Sequence, residues 1–161
     1  MKKGSTWFLR AALVAMALFA LLVCIFIVPN IGLEVIWELG LSQYLHYAIM
    51  IGLYSAAIPF FLVLYQTMKL LNYIDKNDAF SEASVAALKK IKYLAIAMSV
   101  LLIGFVEPVA FMIADADDAP GVIIIALCFF SIPFVIGVFA AVLHRLLRNA
   151  IDMKAENELT V

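Results

Sequence analysis

Ala11 to Val28 is a run of eighteen residues without a charge. As a helix it extends about 27 Å at the standard rise, close to the thickness of a bilayer's hydrocarbon core. Lys2, Lys3 and Arg10 precede the run, and Val28-Pro29-Asn30 ends it. A cleaved signal peptide has the same basic start but a shorter apolar region and a small-x-small site, so this run reads as an uncleaved first span. Three further apolar stretches of spanning length follow, at about 43–68, 91–114 and 121–144. Hydrophobic residues make up 66% of the chain and charged ones 14%, whereas soluble domains hold roughly 45–50% apolar residues. The fold class that follows is all-α: a single integral membrane domain over 1–161, built as a four-helix bundle.

The polar interval from Lys69 to Lys92 orients the rest. It holds five of the eleven lysines and arginines, three precede the first span, and three (Arg145, Arg148, Lys154) follow the fourth. The loops on the opposite side hold only acids: Glu34, Glu38, Asp115, Asp117 and Asp118. Basic residues are retained on the cytoplasmic side of a membrane. Both termini and a helical hairpin at about 69–90 are therefore expected in the cytoplasm of a bacterial cell, with the chain in its cytoplasmic membrane.

Within the hairpin, Leu70, Leu71 and Ile74 continue the apolar stripe of the second span beyond Met68. Lys76-Asn77-Asp78-Ala79 then makes a turn, and Ser81 caps a third helix whose Glu82 complements the helix dipole. Phe80 and Val85 stand at the positions of a hydrophobic staple. Asn30 is expected to cap a short interfacial helix through Leu39, with Leu33, Ile36 and Trp37 toward lipid. Pro59, Pro108 and Pro133 lie inside spans, and a kink is expected at Pro59. The last residues, from Ala155 to Val161, read as a fraying polar tail. Cys24 and Cys128 read as apolar packing residues.

Glu107 is the only ionisable residue deep in any span. It lies about 12 Å inward of Asp115 along a helix, where an ionised carboxylate must be paired, wetted or neutralised. Candidate partners in the outer half are His46, Tyr47 and Tyr54 on the second span and Ser131 on the fourth. A neutral acid bonded across helices is the structural reading, and a proton- or cation-linked site the functional one. The acidic turn at Asp115, Asp117 and Asp118 reads as solvated. No His-x-x-x-His, phosphate loop or activated nucleophile occurs, so neither enzyme activity, nor a cofactor, nor a metal, nor direct nucleic acid binding is expected.

The hairpin segment Asn77-Asp78-Ala79-Phe80-Ser81-x-x-Ser84-Val85-x-x-Leu88-Lys89-x-Ile91 and the tail Glu156-Asn157-Glu158-Leu159-Thr160-Val161 resemble the two recurrent segments of a bacterial membrane-protein family known as domain of unknown function 2975. The four-span layout is similar as well. The resemblance implies, by association of neighbouring genes, a helix-turn-helix transcription factor as partner, and it brings no catalytic residues.

The expected function is a non-enzymatic sensor or regulatory membrane partner of a cytoplasmic protein. Its docking face is expected at Leu71, Ile74, Phe80, Val85 and Leu88, unless these simply pack on one another. Membrane lipids are expected partners through the hairpin lysines, and self-association is left open. The alternatives are a small transporter or peptide-immunity protein using Glu107, and a stabilising subunit of a larger membrane complex.

Overall fold

The computed structural model describes residues 3–30, 43–76, 78–116 and 118–159. The expected interfacial helix through Leu39, the turn residue Asn77, Asp117 and the last two residues of the tail lie outside them. Helix α1 spans Lys3–Leu22 and continues through a π-helical segment, Val23–Ile27, to Asn30. Helices α2 (Gln43–Asp75), α3 (Glu82–Phe105), α4 (Glu107–Ala116) and α5 (Gly121–Leu159) follow. Four helical stretches are long and apolar enough to cross a membrane, with α3 and α4 together forming the third. The all-α, four-span architecture expected from the apolar runs is the one observed.

Helix α3 is the central element. It packs along α2 on one side and along α5 on the other, whereas α1 lies more lightly against α2. Ala56, Leu102 and Phe130 meet in a buried cluster that joins the three inner helices, with Leu53, Met98 and Ala126 around it. Contact this close needs small residues, because lipid supplies no hydrophobic drive between helices and packing must do so instead. Gly52 on α2 faces Phe105 of α3 so tightly that an added Cβ would lie 2.6 Å from the Phe105 Cβ. Gly137 on α5 faces Ile96 in the same manner, at 3.1 Å.

The hairpin forms as its turn chemistry dictates. Helix α2 closes with Asp78 N–H donating to Tyr73 C=O at 2.9 Å. Ser81 takes the extended N-cap conformation, and its Oγ accepts from the Ser84 N–H at 3.3 Å while donating to Asp78 C=O at 2.8 Å. Ser84, fully buried, also donates to Asp78 C=O. The serines of the recurrent hairpin segment therefore hold a turn together. Leu71, Val85 and Leu88 are buried and Ile74 is half-buried. Phe80 stays 66% exposed and adds little to a staple. Lys69 lies over the Tyr65 ring and Lys92 over Tyr93, at 4.9 and 4.8 Å from the ring centroids. Amphipathic rings with adjacent cations mark the headgroup level, so the hairpin extends beyond it.

Four features depart from expectation. The third span is broken at Val106, between α3 and α4, although α2 passes Pro59 and α5 passes Pro133 without ending. The carbonyl that Pro108 leaves without a donor belongs to Gly104, and glycine is the weakest helix former after proline. At Pro59 and Pro133 the corresponding residues are Ser55 and Phe129. Second, α5 does not stop near His144 but runs 39 residues to Leu159. No glycine or proline follows Gly137, so nothing ends the helix where it leaves the membrane. Third, Asn30 makes an unforeseen bond, its Nδ2 donating back to Phe26 C=O at 2.7 Å and satisfying a carbonyl at the end of the first span, while the short helix it was expected to cap lies outside the described residues. Fourth, Arg10 is more than a flanking charge. It donates to Asn72 Oδ1 and to Asp75 Oδ2, each at 2.6 Å, and so fastens the start of the first span to the end of α2.

Candidate functional site

Glu107 is the first residue of α4, and the break in front of it decides its surroundings. Val106 N–H still reaches Leu102 C=O at 2.9 Å, and the regular ladder resumes with Ala110 N–H to Val106 C=O at 3.0 Å. The carbonyls of residues 103 to 105 fall between these bonds. Gly104 and Pro108 are on the exposed side of the break, while Glu107, Val109 and Ala110 are buried. Below the break, Gly52 locks α2 against Phe105 and Val106. Beyond it, α4 packs on α5 and hardly touches α2. Away from the hairpin α2 and α4 therefore part, with Glu107 just beyond the point of closest approach.

The Glu107 side chain is 8% exposed, and its Oε2 is buried without a hydrogen-bond partner among the described residues. An ionised group in this position lacks both the hydration and the pairing that make burial affordable. The four candidate partners do not converge on it. Tyr54 donates to Cys24 C=O at 2.9 Å, in the π-helical segment of the first span. Ser131 donates within its own helix to Cys128 C=O at 2.7 Å. His46 and Tyr47 meet edge to face, with centroids 5.8 Å apart, and His46 Nδ1 is itself buried without a partner among the described residues. Tyr47 is exposed. Two buried polar atoms, one carboxyl oxygen and one imidazole nitrogen, thus have no partner among the described residues in the half of the molecule away from the hairpin.

Sequence reasoning missed the tether from Tyr54 to Cys24. A π-helical turn leaves carbonyls out of the regular ladder, yet nothing in the local sequence announces one. On the acidic turn, Asp118 holds φ at 49° and Ala119 N–H donates to Ala114 C=O at 3.0 Å. This is the left-handed stop expected at a helix C-terminus, a position that Asp tolerates better than most residues. Asp115 and Asp118 are exposed there, and among the described residues no cluster of three metal-ligating side chains occurs.

Residues 37–161 match the family described as "Protein of unknown function (DUF2975)". The chain belongs to this family. The matched region takes in α2 to α5, including the hairpin and Glu107, and leaves out the first span. The chain is also similar over its whole length to the "Uncharacterized membrane protein YoaS" of Bacillus subtilis (strain 168), with 48% identity over 161 residues and all of both chains covered. No solved structure matches the chain. Membership of DUF2975 agrees with a multi-pass membrane protein, and the family's description assigns no chemistry to Glu107 or to the hairpin.

Proposed function

We propose that this DUF2975 protein is a non-enzymatic sensor in the bacterial cytoplasmic membrane, receiving a signal at Glu107 and presenting it at the hairpin to a cytoplasmic regulatory partner. The observation that carries this reading is the course of α3. It runs unbroken from its Ser81 cap in the hairpin to the break before Glu107, and it packs on both α2 and α5. A helix held on two sides moves as a rigid element, so a change in how α4 seats at the break is felt at the other end. The face it shows there is small. Leu71, Val85 and Leu88 are spent inside the hairpin, which leaves Phe80 as the exposed apolar contact. A helix-turn-helix transcription factor is the partner class that the family resemblance implies.

The test uses Phe80→Cys in a chain carrying Cys24→Ala and Cys128→Ala, reconstituted in lipid vesicles. Glu107→Gln is expected to change the rate of thiol labelling at position 80 severalfold. An unchanged rate would count against coupling. Transport through the same site is the competing reading, because a buried acid at a broken helix also suits a transported cation. It predicts a flux that Glu107→Gln abolishes while labelling at position 80 stays the same.

A further inference from the structure

The charge balance around Glu107 narrows what can bind there. No lysine or arginine occurs between residues 11 and 68 or between 93 and 144. The chain therefore holds no basic side chain that could reach this carboxylate except His46, and His46 lies on α2, which hardly touches α4. A single buried carboxylate is matched by a single positive charge. A divalent ion would leave one charge uncompensated, at a cost of several kcal/mol in a low-dielectric site. A metal ion of any charge also needs several converging oxygens. The hydroxyls at comparable depth are bonded elsewhere, Tyr54 to Cys24 C=O across to the first span and Ser131, Ser99 and Ser55 to carbonyls of their own helices, and none is bonded to Glu107. The carbonyls left between the two bonds at the break belong to Ile103, Gly104 and Phe105, all exposed residues, whereas Glu107 is buried.

We infer that Glu107 takes up one positive charge carried on a proton donor, either a proton itself or the ammonium group of an organic amine, arriving from the side of the acidic turn. Both need only the one carboxyl group, where a metal ion needs a shell, and among the described residues no group of three His, Cys, Asp or Glu side chains occurs that could supply one. The approach suits such a ligand. Phe111, Met112 and Ile123 line an open groove beside Asp115 and Asp118 that begins one turn along α4 from Glu107 and does not itself include it, so apolar surface and negative charge lie side by side. In the half of the molecule away from the hairpin, the ionisable groups on the described elements around Glu107 are Tyr44, His46, Tyr47 and Tyr54 on α2, Asp115 on α4, Cys128 on α5 and, at the turn, Asp118. None of these is a lysine or an arginine. The inference rests on the reading of Glu107 as the receiving site, and names what it receives.

Infrared difference spectroscopy of the protein in lipid nanodiscs tests it, with Glu107→Gln subtracted to isolate the one carboxyl group. Glu107→Leu is the reference if the amide variant does not fold. Acidification without amine is expected to produce the C=O band of a protonated Glu107 if the source is a proton. Benzylamine at constant pH is expected to replace that band by carboxylate bands if the source is an ammonium. Either response supports the inference and identifies the source. A band that responds only to sodium or calcium chloride overturns it, as does a Glu107 signal that responds to nothing. A responsive band with unchanged labelling at position 80 leaves this inference standing and removes the sensor reading. Changed labelling with a silent band does the reverse.

Discussion

Leucine at Gly52 is expected to abolish the packed fold, and alanine there to lower stability by about 1–3 kcal/mol, the usual cost of overpacking a core. The reason is the 2.6 Å that would separate a new Cβ from the Phe105 Cβ. A Cβ is fixed to its backbone, so relief requires α2 and α3 to move apart as whole helices. The cluster of Ala56, Leu102 and Phe130 next to this contact would loosen with it. Gly104 provides the control, because a Cβ added there meets nothing within 4 Å. Alanine at that site gains about 1 kcal/mol of helix propensity and should leave the protein as stable as before or more so. Unfolding followed by circular dichroism in detergent compares the two. If Gly52→Ala unfolds no earlier than Gly104→Ala, the close approach of α2 and α3 is wrong.

Glu107→Leu is expected to act in the opposite direction. Leucine of similar volume removes a buried polar group that has no partner among the described residues, so a gain of about 1–3 kcal/mol is anticipated. Glu107 is 8% exposed with an unpartnered oxygen, and leucine removes the unsatisfied group while keeping most of the volume. The same variant should lose whatever response the wild type shows at the hairpin. More stability with less response is the mark of a residue kept for function at a cost to the fold. A loss of more than about 1 kcal/mol in the same unfolding experiment would instead give the carboxyl a structural bond and make it an ordinary helix contact.

Much of this architecture was legible in the residues because it depends on length and charge alone. Eighteen uncharged residues from Ala11 to Val28, and bases confined to one side of every run, leave little choice of span or connection. The cap at Ser81 was legible too, since the capping bond joins residues three apart. The break at Val106 was not. Pro59, Pro108 and Pro133 carry the same local consequence, a missing N–H, and only the first and last are held inside continuous helices, where both are buried. Pro108 is exposed, with a glycine beneath it. The candidate partners of Glu107 were chosen by depth along the helices, which says nothing of azimuth; Tyr54 and Ser131 sit at suitable depths yet spend their hydroxyls on backbone carbonyls. The grip of Arg10 on Asn72 and Asp75 joins residues more than sixty positions apart, beyond any local pattern.

Sidedness underlies every step of the account, since the signal is taken to enter at the acidic turn and leave at the hairpin. Its direct measurement is labelling with a membrane-impermeant maleimide in intact cells, using Asp115→Cys and Phe80→Cys in the chain with Cys24→Ala and Cys128→Ala. Position 115 should react in whole cells, and position 80 only after the membrane is opened. Reaction at position 80 in whole cells, with position 115 protected until lysis, would contradict the account.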